Sequence, residues 1–119
     1  HQVAGKPAGE QTLVAAGVGF FLCARDHRNL FALMAGPRIN LKGAFPGLEM
    51  AMMQTMAIFH QSFVDSGIGS ELARVRAAVF LSALQGVTTQ ILHRRLHVSR
   101  ANAKDFVAQI CRMLFKGLR

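Results

Sequence analysis

The stretch ELARVRAAVFLSALQGVTTQILHRRL, Glu71 to Leu96, decides the fold. It opens at Ser70-Glu71, where a hydroxyl is available to the first free amides and a carboxylate complements the positive end of the helix dipole. It then runs without proline, and its middle, Ala77 to Val87, is apolar on nearly every face apart from Ser82 and Gln85. A helix that is apolar all round must be covered on all sides. The expectation is a long helix over 71–96, covered on one side by its own chain and on the other by a partner surface.

The neighbouring segments read as helices too. Ser99 stands as the cap of a last helix, Arg100 to about Leu118. Its apolar face is Ala103, Phe106, Val107, Ile110, Cys111, Leu114 and Leu118, and its other face carries Arg100, Lys104, Arg112 and Lys116. Upstream, Pro46 suits the first turn of a helix, where its missing N–H costs nothing, and that helix runs to about Asp65 before Ser66 to Gly69 end it. Asp26 can cap a short apolar segment, Leu30 to Ala35, which Gly36-Pro37 stops. Glu10 to Arg25 is long enough for a helix despite Gly17 and Gly19. Each glycine costs about 1 kcal/mol relative to Ala in a helix interior, so close approach of a neighbouring helix is expected to require both. Residues 1–9, with Gly5, Pro7 and Gly9, form an irregular lead-in. The fold class is therefore all-α, a single domain over 1–119 with about five helices, the last two long.

The chain has 119 residues, 51% apolar, with a mean hydropathy of +0.28, which excludes disorder. Its size allows a core without disulfides or a structural metal. The longest nearly unbroken apolar run, Leu13 to Ala24, falls short of the roughly 18–20 residues of a membrane span. The net charge of +8 comes from fourteen Lys and Arg against six Asp and Glu, but only 17% of residues are charged and there is no Trp or Tyr to stack on bases. Scarce acids, rather than a dense basic patch, set that charge. Cys23 and Cys111 lack CxxC spacing and read as two buried thiols in a reducing compartment. His1 to Glu10 does not resemble a signal peptide, so the expected location is cytoplasmic. The absence of an initiating Met implies a fragment or processed product.

Catalytic chemistry has little to build on. The six carboxylates, Glu10, Asp26, Glu49, Asp65, Glu71 and Asp105, are spread singly, with no evident acid and base pair. Cys23 and His27 share a helical face at i, i+4, the one arrangement open to a small Cys/His enzyme. A thiol acting as a small hydrophobe beside a helix-end histidine is the preferred reading. His93 and His97 have the same spacing, but two ligands are too few for a zinc site and Arg94 and Arg95 repel a cation, so no metal or cofactor is expected. Met50, Met52, Met53 and Met56 crowd one helix with Phe59 and Phe63, and Met34 lies on the preceding element. Flexible thioethers suit an adaptable apolar cavity that Gln54, His60 or Gln61 could polarise; they suit an ordinary core equally. The basic stripe of the last helix, with Arg94, Arg95 and Arg119, could touch phosphate, although a solvated helix face is the preferred reading.

Three segments together resemble a known family. FFLCARDHRNLFALMAGPR, Phe20 to Arg38, looks like a helix ending at an acidic residue followed by an apolar helix that closes on Met and Gly-Pro. AFPGLEMA, Ala44 to Ala51, is similar to an aromatic-Pro-x-Leu helix start. FLSALQGVTTQILHRRL, Phe80 to Leu96, resembles the Trp-His-Gly motif of a penultimate long helix, with Leu81 in place of Trp, Gln85 in place of His and Gly86 matching. The pattern resembles the C-terminal domain of TetR-family transcriptional regulators.

That resemblance implies a homodimer in which the last two helices pair with their copies in a four-helix bundle. It also implies a small apolar or amphipathic effector, and DNA binding only through an N-terminal helix-turn-helix unit that these residues do not contain. The implied ligand-binding residues, placed by helical phase, are Phe20, Met34, Met53, Met56, His60, Phe63, Phe80 and Leu84, with Gln85 as a polar contact. Those facing the partner are Val79, Ala83, Gly86, Gln90, Val107, Ile110 and Leu114. A helical protein-interaction module without a ligand is the rival reading.

Overall fold

A computed structural model describes residues 9–29 and 46–119. Among the described residues there are four helices and no strand: α1 Glu10–Asp26, α2 Pro46–Asp65, α3 Ser70–Leu92 and α4 Arg100–Leu118. The all-α expectation holds. The proposed short helix over 30–35, and with it Met34, lies outside the described residues.

Local chemistry explains most of the helix ends. After α2, Gly67 adopts φ 101°, its N–H donates to the Val64 carbonyl at 3.0 Å, and the Ile68 N–H donates to the Phe63 carbonyl at 3.3 Å. This is a Schellman closure, completed by Ile68 packing back on the core. At the other end of α3 the expectation needs correction: the helix stops at Leu92, not Leu96. Arg94 takes φ 59°, donating its N–H to Ile91 at 3.0 Å while Arg95 donates to Gln90 at 2.8 Å. The closure has the same form as that after α2, but an arginine occupies the position that glycine usually fills. Ser99 does precede α4, yet its side chain makes no capping bond, and Gly69, not Ser70, caps α3.

α1 packs against all three other helices. The core draws Leu13 and Phe21 from α1, Phe59 and Phe63 from α2, Ala73, Ala77, Phe80 and Leu84 from α3, and Ala103, Val107, Cys111 and Phe115 from α4. Phe80 meets Phe59 edge-on at 4.7 Å between centroids and Phe63 at 6.3 Å, while Phe63 lies 5.1 Å from Phe115. Each such ring contributes roughly 2–3 kcal/mol through burial, and ring pairs in these orientations add to it.

Two glycines mark where backbones touch. A Cβ on Gly17 would lie 2.5 Å from the Cys111 Sγ, so α1 and α4 approach closely there. Gly9, at φ 85°, caps α1, and its Cβ would meet the Ser62 carbonyl oxygen at 2.8 Å. Gly19 has nothing within 4 Å of its would-be Cβ, so the packing reason expected for both helix glycines applies to Gly17 alone.

Candidate functional site

α3 buries Ala73, Ala77, Phe80, Leu84, Thr88 and Leu92 along its inner face. The outer face remains apolar and uncovered. Leu72, Val75 and Val79 are 48%, 57% and 47% exposed, and the stripe continues through half-buried Ala83 and exposed Gly86 to half-buried Gln90. Nothing lies within 4 Å of a Cβ placed on Gly86, so another backbone can approach there without displacing a side chain. By length and composition α3 is also long and apolar enough to cross a membrane, although Arg74, Arg76, Ser82 and Gln85 interrupt its apolar residues. Its inner face is nevertheless committed to the core, as in a bundle helix.

Of the other residues assigned to a partner surface, Ile110 and Leu114 are half-buried, whereas Val107 is wholly enclosed by its own chain. Its helical phase matches Ala103 and Cys111 on the inner face, which corrects its assignment.

Among the described residues, the side chains expected to line a pocket are dispersed between core and surface. Phe63, Phe80 and Leu84 are fully buried against each other and the rest of the core. Met53 is 72% exposed. Met56 and Phe20 are half-buried and pack on the edge of the core, and Gln85 is half-buried. His60 is engaged elsewhere: its Nε2 donates to the Ser70 carbonyl at 3.0 Å and ties α2 to the start of α3. Cys23 is exposed, contrary to the reading of two buried thiols, and Cys111 is buried. Burial raises the Cys111 thiol from its usual value near 9 to about 11, with the Arg112 charge pulling slightly the other way. A group of that kind is a poor nucleophile. No cluster of three or more metal-ligating side chains occurs among the described residues.

A cleft of about 460 Å³ lies elsewhere, where α1 and α3 finish and α4 begins. Its apolar lining is Phe21, Ile91, Leu92, Leu96, Val98 and Ala103, and its polar lining is Arg25, Arg28, Arg94, His97, Ser99 and Arg100. One Arg28 Nη donates to the Leu92 carbonyl at 3.0 Å, fastening the end of α1 to the end of α3. The Arg25 guanidinium sits 5.9 Å from the centre of the Phe21 ring, and its Nε is 3.7 Å from Asp26 Oδ1. Sequence reasoning joined Arg94 to the basic stripe of the last helix, which includes Arg100, but did not connect Arg25 and Arg28 with them, and only the packing of three helix ends unites the four.

Comparison with family models, curated proteins and solved structures returns no match to this chain.

Proposed function

We propose that the chain is the dimerisation and effector-sensing domain of a TetR-like transcriptional regulator, most simply a repressor. A small amphipathic effector favours one arrangement of the dimer, and so changes the DNA-binding competence of helix-turn-helix units carried outside these residues. Such coupling needs only that the effector bind the two arrangements unequally.

The observation that carries the reading is the uncovered apolar face of α3, Leu72, Val75 and Val79 running on to Gly86. Mostly apolar, with Arg76 at its margin, and lined toward Gly86 by small residues, it suits a two-fold pairing in which one patch meets itself. The resemblance of Phe80 to Leu96 to the family's penultimate helix points to the same occupant, a second copy. The rival, an interaction module for a different protein, shares the seam but not the self-pairing.

Sedimentation velocity tests it. The wild type is expected to be a dimer at about 50 μM, near −6 kcal/mol of association at least. Val75→Glu with Val79→Glu is expected to give a folded monomer with unchanged helical content, since neither side chain belongs to the core. A wild type that stays monomeric at that concentration, or a double variant that still dimerises, overturns the self-pairing and the regulator reading with it.

A further inference from the structure

We propose that the cleft between the ends of α1 and α3 and the start of α4 binds a small anionic amphiphile, a carboxylate or phosphate head on a short apolar body. The binding is a property of one chain and does not rest on dimerisation or DNA regulation.

The cleft has the division of labour that such a ligand requires. Phe21, Ile91, Leu92 and Val98 offer apolar surface, while Arg25, Arg28, Arg94 and Arg100 line the same space with no carboxylate among the described lining residues. The volume, about 460 Å³, falls within the range of small-molecule sites. Asp26, next in the chain, lies 3.7 Å from the Arg25 Nε, an ion-pair contact but too long for a hydrogen bond, and that buried Nε has no hydrogen-bond partner. Among the described residues the Arg94, His97 and Arg100 side chains make no hydrogen bond or ion pair.

Helix electrostatics separates the structural arginines from the others. Arg25 closes the last turn of α1, Arg28 lies just beyond that end and Arg94 just beyond α3, where cations are stabilised by the negative helix end. Arg100 is the opposite case. It opens α4, whose first turn contains no acid and whose Ser99 supplies no capping bond. A positive side chain there faces a positive helix end, which is unfavourable in an empty site and becomes favourable when an anion sits between them. Arg94 adds a second oddity of the same sense. It holds a left-handed backbone at φ 59°, where glycine is the easier residue, and in return presents a guanidinium to the cleft. With the chain at +8 overall, an anion is also attracted from a distance.

Calorimetric titration with octyl phosphate, octanoate, octanol and inorganic phosphate tests the proposal. At least one of the two amphiphilic anions is expected to bind about tenfold or more tightly than octanol, since charge-assisted hydrogen bonds are the difference between them, and octyl phosphate is expected to bind more tightly than inorganic phosphate. Arg94→Gln with Arg100→Gln is expected to weaken the anions about tenfold and leave octanol unchanged. Both side chains are exposed and make no internal bond, so the unfolding midpoint should not fall, and relief of the repulsion among the arginines should raise it slightly. Amide chemical-shift changes should centre on residues 91–103, and the Val75→Glu, Val79→Glu monomer should bind equally well. Binding of neither anion, equal binding of octanol, or an unchanged affinity in the arginine variant overturns the proposal. Shifts centred on Met53 and Met56 do so as well. So does arginine-dependent binding confined to duplex DNA or anionic vesicles, which would make the basic end a polyanion surface rather than a ligand site.

Discussion

Replacing Gly17 by alanine sets two effects of known sign against each other. Alanine gains about 1 kcal/mol in a helix interior. The new Cβ, however, would stand 2.5 Å from the Cys111 Sγ, with Leu84 Cδ2 at 3.8 Å behind it. Ordinary contact lies near 3.5–4 Å, so α1 and α4 must separate by about 1 Å or the buried thiol must turn into space already filled. Overpacking of this kind costs about 1–3 kcal/mol, leaving Gly17→Ala less stable by roughly 1 kcal/mol. Gly19→Ala supplies the control, because its Cβ meets nothing within 4 Å. It should stabilise by about 1 kcal/mol. Cys111→Ala alone removes a buried sulfur and should destabilise by about 1–2 kcal/mol. In the Gly17→Ala, Cys111→Ala pair the new methyl occupies the vacated space, so the pair should lie within about 1 kcal/mol of wild type and show a coupling of about 2 kcal/mol. Urea unfolding at one fixed protein concentration measures all four, since a dimer's stability depends on concentration. If Gly17→Ala stabilises as much as Gly19→Ala, or the two single effects simply add, the close α1–α4 approach is refuted.

Two further predictions use single residues. With the Cys111 thiol held at about 11 against about 9 in the unfolded chain, the fold retains a proton that the unfolded chain releases between those values. Stability is therefore fully present below pH about 9 and declines toward pH about 11, by up to roughly 3 kcal/mol, and Cys111→Ala should remove that part of the alkaline slope; identical slopes would refute it. Arg94→Gly should relieve the left-handed backbone at φ 59° and raise stability by about 1 kcal/mol, a few degrees in the melting midpoint, while weakening anion binding. A lowered midpoint would show that Arg94 contributes more to the fold than its backbone costs.

Much of the fold was legible because helix punctuation is local chemistry. Pro46 and Ser99 marked starts, and Gly67 closed α2 through bonds formed within its own last turn. The end of α3 was not legible, since His93 to Leu96 contains neither glycine nor proline and the stop is an arginine in a backbone state that sequence seldom signals. Helical phase held information that residue type did not. Gly17 lies four residues from both Leu13 and Phe21, on the face that α1 buries, whereas Gly19 lies off it. The same rule, applied to Val107 four residues from Ala103 and from Cys111, points inward rather than toward a partner.

One physical reason governs which of the chosen residues lie in the core and which remain at the surface. Apolar residues chosen from a single helix, such as Phe63 and Phe80, were drawn into the core because nothing in their own segment says whether the facing surface is filled. The outer seam of α3 could be foreseen because excess apolar surface is a property of one helix: the inner face can absorb only part of a stretch that is apolar all round. The cleft is the converse case. Arg25, Arg28, Arg94 and Arg100 are far apart in the chain, and a charge total of +8 does not say whether they repel across the molecule or gather at one end. Gathering them with only Asp26 alongside, in contact with Arg25, is costly in water and more so beside apolar walls, so an empty cleft of this composition should be a weak point of the fold. An anion that relieves it must then raise the unfolding midpoint as it binds, and that stabilisation should shrink as salt screens the arginines.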